Sequence, residues 1–400
     1  METTAEKIAQ TAKDASFGLR TLSAELRNKA LQKVAEKIRL NEAKIIEENK
    51  KDIAAAEASG MSAAMLDRLT LNSKRIEEMA KGVEEIAAFA DPLGKVLERR
   101  SLANGIDLSR VSVPLGAIFF IYESRPNVTI DGAALCFKAG NAVILRGGKE
   151  SVYSSFFLAN IFSETLVEFG VSKNAVQYVN NPDRNLLGCL LKQSNYLDLV
   201  IPRGGEGLIR AVSEQSTIPV IKHFNGICHV YVDKSADLNN AAEILHNAKV
   251  QRPSVCNAAE TVLFHKALPK ESVELVLKPL KDAGVEFHYD KCGVEYLDLQ
   301  ISVCFVNDVQ EACEHIEKHG SHHTEAIVAE DAEVLDFFAN NVDSSSVMLN
   351  ASTRFADGGQ YGLGAEVGIS TDKLHARGPM GVESLCSYKW ILRGNGQVRK

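Results

Sequence analysis

The feature that most constrains the fold is an alternation of apolar, strand-like runs with helical stretches that begins after Pro114. The runs are rich in β-branched and aromatic residues, and segments between them, such as 152–169 and 205–215, have helical patterns. Apolar strands separated by helices predict an α/β fold with a parallel sheet covered on both faces. The candidate strands lie at residues 116–122, 142–146, 176–179, 197–202, 219–224 and 229–233.

The alternation pauses at a helix near 237–250 and resumes after Cys256, which indicates a second α/β unit. Its strand-like runs read TVLFH, VEFHYD, ISVCFV, AIVAED and SSVMLN. A chain of 400 residues is too long for one ordinary core, so two domains are expected. The predicted division is 1–95 with 114–250 for a first domain (a helical N-terminus and a Rossmann-like sheet), 251–375 for a second, and 96–113 with 376–400 for an arm and tail.

The arm contains Asn104-Gly105 between two extended runs, which is the strongest short signal for a β-hairpin. The tail contains the single tryptophan, Trp390, in the extended-looking run SYKWILRG. A two-stranded ribbon is marginally stable alone in water, so we expect it to dock on its own domain or on another subunit.

Charge and composition exclude several classes of protein. The 45 basic and 52 acidic residues give a net charge of −7, which argues against a nucleic-acid-coating protein. The stretch METTAEKIAQTAKDAS has no apolar signal region, and no run approaches the length of a membrane span. The eight cysteines form no CxxC pair and no Cys/His cluster at zinc spacing, so no metal site is expected. We therefore expect reduced thiols and a cytoplasmic location.

Cys256, in 250-VQRPSVCNAAETVLF-264, is the candidate nucleophile. Pro253 ends the preceding helix, and Asn257 with two alanines leaves the sulfur uncrowded. The position also falls at the predicted join of the two units, where ligand clefts form. A buried structural thiol is the alternative, and it stays open on the local sequence alone.

Two glycine turns, each running from a strand into a helix, are candidate phosphate sites. The stretch 202-PRGGEGLIRA-211 lacks the full GxGxxG pattern, but the amides at its helix start attract phosphate oxygens. The stretch 142-AVILRGGKES-151 adds Arg146 and Lys149. Each turn alone is equally a tight strand-to-helix connection, whereas two in one parallel sheet favour a dinucleotide site.

Two polar stretches are candidate substrate corners. In 122-YESRPNVTIDGAAL-135, Arg125 suits an oxyanion and Asn127 suits an amide donor, although a polar loop with a salt bridge explains them equally. In 350-NASTRFADGGQYGLGAE-366, Arg354 suits an anionic substrate, although the segment is equally a loop. The chain has no GxSxG, HExxH or Walker motif, which argues against serine and metal hydrolases.

Taken together, ESRPN, AVILRGGKE, IPRGG, QRPSVCNA, GSHHTEAIV, NASTRFADGG and LGAEVGISTDKLHARGPMG resemble the gamma-glutamyl phosphate reductases (glutamate-5-semialdehyde dehydrogenases). This is an acyl-phosphate-reducing branch of the aldehyde dehydrogenase superfamily, and the resemblance covers essentially the whole chain. It implies an aldehyde dehydrogenase-like fold with two parallel-sheet domains, the first binding NADPH and the second catalytic, plus a β-ribbon oligomerisation arm.

The resemblance also implies a reaction, the NADPH-dependent reduction of L-glutamate 5-phosphate to L-glutamate 5-semialdehyde in proline biosynthesis. Cys256 matches the nucleophile that displaces phosphate to give a thioester, which hydride then reduces. A thioester is more electrophilic than a carboxylate, so covalent catalysis divides a difficult reduction into two easier steps. The Cys256 backbone N–H and the Asn127 amide are the expected oxyanion donors.

The remaining site residues follow from the same resemblance. Arg146 and Lys149 correspond to the ribose and phosphate region of NADPH, Gly204 and Gly205 to the pyrophosphate turn, and Glu295 to the acid that holds the nicotinamide ribose. Arg125 and Arg354 are the expected ligands of the substrate phosphate and α-carboxylate. A homo-oligomer and a nearby glutamate kinase are the implied partners.

His223 replaces the glutamate that activates water in ordinary aldehyde dehydrogenases, which suits a thioester that exchanges with phosphate. Because His223 is itself a candidate base, a non-phosphorylating semialdehyde dehydrogenase is the alternative enzyme. A non-catalytic, nucleotide-binding relative is the alternative from another class.

Overall fold

The computed structural model describes residues 1–123, 125–222 and 224–399. Contacts divide the chain into two compact units, and each is described by itself. Unit 1 comprises Met1–Ile221, Leu363–Gly368 and the chain from Met380 onward, and unit 2 comprises Lys222–Gly362 and Ile369–Pro379.

The helices and strands, numbered in chain order, alternate over most of the chain. The helices are α1 Glu2–Leu19, α2 Ala24–Leu40, α3 Glu42–Ala58, α4 Ala63–Leu69, α5 Ser73–Ala88, α6 Asn127–Lys138, α7 Val152–Glu168, α8 Arg184–Leu190, α9 Glu206–Gln215, α10 Leu238–Val250, α11 Lys270–Asp282, α12 Val309–His319 and α13 Ala332–Asn341. The strands are β1 Val96–Ser101, β2 Asp107–Pro114, β3 Ala117–Tyr122, β4 Ala142–Arg146, β5 Val176–Tyr178, β6 Leu199–Arg203, β7 Cys228–Val232, β8 Ala259–His265, β9 Glu286–His288, β10 Gln300–Val306, β11 Thr324–Val328, β12 Ser346–Leu349, β13 Gly368–Ser370, β14 Gly378–Met380 and β15 Cys386–Arg393.

The main sheet of unit 1 is parallel, with strand order β5-β4-β3-β6. Every residue of the central strand β3 is buried, so helices cover both faces as the apolar runs predict. The chain steps from β3 to β4 and β5 and then returns to place β6 on the other side of β3. Strand order therefore reverses between β3 and β6, and ligands of open α/β sheets bind at the carboxyl ends of the strands beside such a reversal.

The predicted strand at residues 219–224 is not confirmed. Among the described residues of this run, which exclude His223, the structure shows only an isolated bridge between Val200 and Val220. The run contains Pro219 and crosses the boundary between the two units at Ile221 and Lys222. A segment that leaves one sheet for another unit makes no continuous ladder with either, which explains the loss of the strand.

The predicted hairpin of the arm is confirmed. Strands β1 and β2 pair antiparallel, and Gly105 takes the positive φ of 80° that such a turn requires. The tail strand β15 pairs antiparallel with β2 over its whole length, from Cys386 opposite Pro114 to Arg393 opposite Asp107. Arm and tail thus form one three-stranded sheet, which supplies the third strand that a ribbon needs for stability.

Unit 2 is built on a parallel six-stranded sheet of order β12-β11-β7-β8-β10-β9. Its strands alternate between two cores, since Val230 and Val262 pack with residues of α10 and α11, whereas Tyr231 and Leu263 pack with residues of α12 and α13. This confirms a second α/β layer structure with helices on both faces of the sheet.

The predicted division differs from the division by contacts, which places the boundary before residue 250 and assigns Leu363–Gly368 to unit 1. Strand β7, which was assigned to the first domain, lies between β11 and β8 and carries part of both cores of unit 2. Helix α10 packs on the same sheet, so the boundary falls at Ile221 and Lys222. Among the described residues, no helix has both the length and the apolar character needed to cross a membrane.

Candidate active site

Cys256 lies in a turn that joins α10 to β8. Helix α10 ends at Val250, just before Arg252-Pro253, as the proline predicts, and β8 begins at Ala259. Cys256 is half-buried, so the residue is not fully enclosed in the core. All eight cysteines lie among the described residues and none forms a disulfide, as expected.

Two neighbouring segments, one at Cys228 and one at residues 353–356, hold the backbone of this turn. The Cys228 thiol donates to the carbonyl oxygen of Cys256 at 3.2 Å, and burial raises the pKa of Cys228 well above its usual range, which keeps the thiol protonated. The Thr353 hydroxyl donates to the carbonyl oxygen of Asn257 at 2.7 Å. The Asn257 side-chain amide donates to the carbonyl oxygen of Ala356 at 3.0 Å.

Gly226, two residues before Cys228, brings the same segment directly against the turn. A Cβ atom at this position would overlap the Cys256 carbonyl group, so only glycine permits the approach. The Gly226 N–H donates to a carboxylate oxygen of Glu295 at 2.7 Å. The structure therefore places the predicted Glu295 in one cluster with Cys256, joined through a glycine that sequence reasoning missed. Its only signal is the glycine in FNGIC, just before β7.

Arg354 is held beside the same turn. Its Nε donates to the side-chain oxygen of Gln251 at 2.8 Å, and its Nη1 donates to the side-chain oxygen of Asn257. Burial and the neighbouring Arg252 lower the pKa of Arg354, whereas Cys256 acts in the opposite direction. Arg354 is therefore a cation that interacts electrostatically with the candidate nucleophile.

A polar cavity of about 240 Å³ adjoins Arg354 in unit 2. Its lining carries a cation and an anion, since Arg354 and Asp357 both contribute. The other lining residues are Asn247, Gln251, Phe355 and Gln360. Opposite charges on one small cavity suit a zwitterionic ligand such as an amino acid.

A buried ion pair contacts the loop that carries Glu295. Lys249 donates to Glu260 at 2.7 Å, and both side chains are inaccessible to solvent. Burial raises the pKa of Glu260 to about 7, against the opposing effect of Lys249. The other oxygen of Glu260 accepts the Leu297 N–H at 3.1 Å. Sequence reasoning missed this pair, because nothing in the local pattern separates it from ordinary charged residues.

The cluster lies at one edge of the unit 2 sheet. Gly226, Cys256 and Glu295 precede the first residues of β7, β8 and β10 respectively. Because these strands are parallel, the three residues gather at their amino ends. The prediction that placed Cys256 at the join of the two units used the wrong boundary; Cys256 lies within unit 2.

In unit 1, the turn of Gly204 and Gly205 lies at the reversal of strand order beside β3. Gly205 is the N-cap of α9, and its N–H donates to a carboxylate oxygen of Glu123 at 2.8 Å. A Cβ atom on Gly204 would meet the same carboxylate at 2.5 Å. The N-terminus of α9 thus already binds one anion, the Glu123 carboxylate. A phosphate oxygen is an anionic acceptor of the same kind, so it could take the place of this carboxylate at the Gly205 N–H.

The second glycine turn follows β4 in the same sheet. Arg146 is half-buried; burial lowers its pKa, and its Nη2 donates to the carbonyl oxygen of Pro182 at 3.0 Å. Its Nε is buried without a hydrogen-bond partner among the described residues. Lys149 is exposed at the start of a short 3-10 helix.

Arg125 lies between β3 and α6 in unit 1, and Asn127 lies at the start of α6. Asn127 is the first residue of α6, and its side-chain amide donates to Asp131 at 3.0 Å. Burial raises the pKa of Asp131 to about 6, although Arg203 and this hydrogen bond act in the opposite direction. Asn127 thus has one amide hydrogen engaged by Asp131. His223 lies outside the described residues.

The chain is similar to known proteins over its full length. The aldehyde dehydrogenase family model matches residues 1–291. A gamma-glutamyl phosphate reductase from Paramagnetospirillum magneticum is 48% identical over 408 residues, covering 98% of this chain and 96% of the relative. The crystal structure of a gamma-glutamyl phosphate reductase from Thermotoga maritima has a TM-score of 0.97 and 40% identity, covering 99% of this chain and 100% of that chain. An engineered glycolyl-CoA reductase with bound NADP+ has the same fold, with a TM-score of 0.66 at 16% identity, over 98% of this chain and 96% of that chain.

Proposed function

The chain belongs to the gamma-glutamyl phosphate reductase branch of the aldehyde dehydrogenase family, and from that premise we propose how its residues act. The proposed reaction is the NADPH-dependent reduction of L-glutamate 5-phosphate to L-glutamate 5-semialdehyde with release of phosphate, the second step of proline biosynthesis from glutamate. The observation that carries the proposal is the half-buried Cys256, in a turn fixed by Gly226 and Cys228 with Arg354 beside it.

Cys256 acts as the nucleophile. Its thiolate attacks the acyl carbon, the bond from that carbon to the phosphate oxygen breaks, and phosphate leaves with the bonding electrons. The nearby Arg354 guanidinium favours the thiolate over the thiol, because an opposite charge stabilises the ionised form. The product of this step is a thioester on Cys256, which divides the reduction into two easier steps.

The oxyanion of each tetrahedral intermediate needs hydrogen-bond donors. We assign this role to the Cys256 backbone N–H and to the side-chain amide of Asn127, which carries a second amide hydrogen besides the one donated to Asp131. The Asn257 amide is a poorer choice, because it is bonded to Ala356 and its oxygen is bonded to Arg354.

Membership of the aldehyde dehydrogenase family indicates a nicotinamide cofactor, and NADPH is our specific proposal. When bound, it supplies the hydride that reduces the thioester. In unit 1, the amides of Gly204 and Gly205 bind the pyrophosphate, which replaces the Glu123 carboxylate at the Gly205 N–H, while Arg146 and Lys149 bind the adenosine ribose and its 2′-phosphate. In unit 2, Glu295 binds the nicotinamide ribose, with its carboxylate already oriented by the Gly226 N–H.

The substrate carries an amino-acid end and a phosphate end. The cavity lined by Arg354 and Asp357 suits the amino-acid end, since the guanidinium attracts the α-carboxylate and the carboxylate attracts the α-ammonium group. We therefore assign Arg125 to bind the phosphate group of the substrate. A cytoplasmic location, a homo-oligomer and association with glutamate kinase remain predictions.

The reverse reaction tests whether phosphate is the acyl acceptor. We expect oxidation of glutamate 5-semialdehyde with NADP to require phosphate or arsenate, because the thioester must be released by an oxyanion and not by water. The measurement is NADPH formation by absorbance with and without each anion. A rate that does not change when phosphate is omitted would support a non-phosphorylating dehydrogenase with His223 as the base.

The nucleophile is tested by Cys256→Ala. Turnover should fall by at least roughly 1,000-fold, as for other residues that act in a catalytic unit, while the protein still folds and binds NADPH. The matched control is Cys189→Ala, which removes a half-buried thiol outside the site and should leave kcat unchanged. Appreciable activity in Cys256→Ala would exclude the thioester mechanism. If the wild type does not oxidise NADPH in the presence of L-glutamate 5-phosphate, a non-catalytic nucleotide-binding protein is favoured.

A further inference from the structure

Three metal-ligating side chains converge in unit 2 on a part of the fold that the proposed reaction does not use. Cys292 lies in the loop between β9 and β10, Cys304 lies on β10, and His315 lies on α12. One ligand atom from each lies within 4.8 Å of the others, and the two sulfurs are 3.1 Å apart. The sequence predicts no metal site, because these residues are too distant along the chain to match a zinc motif.

His315 has an unusual environment for a histidine. Its Nε2 is buried and has no hydrogen-bond partner among the described residues. Its ring packs against the rings of His229 and His319, with centroid distances of 5.5 Å and 4.6 Å. A buried polar atom without a partner costs free energy, so a bond to a metal or a proton acceptor at this ring would stabilise the fold.

The two sulfurs are free thiols in a hydrogen bond, and their separation lies between the distances that a disulfide and a shared metal ion would require. A disulfide requires about 2.05 Å, about 1 Å less than the observed distance. Two thiolates on a tetrahedral zinc ion, with Zn–S bonds of about 2.3 Å, lie roughly 3.8 Å apart, or roughly 0.7 Å more than observed. The distances alone therefore do not decide between them. The third group favours the cation, because a disulfide would leave His315 Nε2 without the partner that it lacks among the described residues, whereas a cation would bind all three side chains.

We propose that Cys292, Cys304 and His315 form a site for a soft divalent cation, best matched by Zn²⁺. Two sulfurs and one imidazole nitrogen are the donor set that zinc prefers, and three protein ligands leave a fourth position for water. Cys292 is exposed, so solvent has access to that position. On binding, both S–H protons leave as the Zn–S bonds form, and the imidazole contributes its lone pair.

The site would fasten a loop to the sheet. Cys292 precedes Glu295 in the loop of residues 289–299, whereas Cys304 belongs to a strand of the six-stranded sheet. A cation shared by the two would limit the movement of this loop without touching the reacting groups. Hydrogen exchange of the loop therefore reports binding independently of activity.

The test uses the full-length protein carrying Cys256→Ser, which removes the candidate catalytic thiol as a competing ligand. After treatment with a chelator, the protein is titrated with Zn²⁺ against a chromophoric chelator at neutral pH. We expect one equivalent of Zn²⁺ per chain, release of about two protons per ion, and slower amide exchange in residues 289–299. Cys292→Ser, Cys304→Ser and His315→Ala should each abolish that equivalent.

The matched control is Cys189→Ser, which lies in unit 1 and should keep the full equivalent. Cys292→Ser removes an exposed side chain, so its folding is checked by its thermal transition, and a loss of binding in a folded variant supports the site. Unchanged Zn²⁺ binding in all three ligand variants would overturn the proposal. A disulfide between Cys292 and Cys304, found by mass spectrometry in protein that takes up no Zn²⁺, would also overturn it and identify the thiols as a redox pair.

Discussion

Gly226 determines how closely β7 approaches the turn of the candidate nucleophile. A side chain at this position would overlap the Cys256 carbonyl group, and its N–H is the donor that orients Glu295. One residue without a side chain thus sets the positions of two others, the nucleophile and the proposed cofactor ligand. The physical reason is packing, because neither backbone segment can give way as a flexible side chain would.

Gly226→Ala tests this packing. We expect overpacking to reduce stability by about 1–3 kcal/mol and to lower kcat/KM by roughly 100-fold through displacement of Cys256. The measurements are the thermal transition and the rate of semialdehyde oxidation with phosphate present. The control is Gly82→Ala in α5, where an added Cβ has no neighbour within 4 Å and alanine favours the helix. Equal activity in the two variants would contradict the role of Gly226.

At the scale of elements, several contacts hold the loop of residues 289–299, and three of them involve residues discussed above. Glu295 accepts the Gly226 N–H, Leu297 donates to Glu260 on β8, and Cys292 contacts Cys304 on β10. Leu297 also takes a positive φ of 54°, which is unusual for a residue other than glycine. These contacts fix the conformation of a loop that has no regular secondary structure. Such restraint is expected where a side chain, here that of Glu295, must be positioned for a ligand.

The Lys249–Glu260 pair supports this loop, because Glu260 accepts the Leu297 N–H. Lys249→Met leaves the buried Glu260 carboxylate without its cation. We expect this substitution to lower the free energy of unfolding by about 3–5 kcal/mol at pH 8. The pKa of Glu260 is raised to about 7 even with Lys249 present. A carboxyl group with a raised folded-state pKa contributes stability that is full below its unfolded pKa and is lost as the pH rises through the folded value. The destabilisation should therefore be smaller at pH 5 than at pH 8.

Urea unfolding of Lys249→Met at the two pH values measures this effect. The matched control is the double variant Lys249→Met/Glu260→Gln, which removes both charges and should recover much of the loss. A loss that is the same at pH 5 and pH 8 would show that Glu260 does not become a buried, uncompensated charge.

At the scale of the whole molecule, the sheet of β1, β2 and β15 exposes apolar side chains on one face. Tyr388, Trp390 and Leu392 alternate along β15 and are 50%, 45% and 58% exposed. Arg110 lies over the rings of Tyr388 and Trp390, at 4.9 Å and 5.9 Å from their centroids. An apolar row of this kind is typical of a surface that contacts another protein, so we expect it to join copies of this chain.

Leu392→Arg tests this association. A charge placed in an apolar contact is costly to bury, so the variant should sediment as a smaller species than the wild type in analytical ultracentrifugation. Lys389→Ala changes the opposite face of the same strand and serves as the control. An unchanged sedimentation coefficient in Leu392→Arg would exclude this row from any subunit contact.

The sequence by itself determined the local structure around Cys256 and identified this residue as the candidate nucleophile. Strand and helix periodicity, the turn at Asn104-Gly105 and the helix end before Pro253 depend on neighbouring residues. The structure confirms the turn, the helix end and the predicted strands other than the one at residues 219–224. The motifs of the reductase branch were likewise sufficient to predict the family and the reaction. Local patterns of this kind are visible in one chain because the interactions that produce them span only a few residues.

Only the tertiary structure decided which elements meet. It moved β7 into unit 2, because the side chains on both faces of that strand complete the two cores of the second sheet. It also placed Gly226 and Glu295 with Cys256, and brought Cys292, Cys304 and His315 together. Strand order and the contacts of loops depend on burial between residues far apart in the chain, and no local pattern encodes those distances.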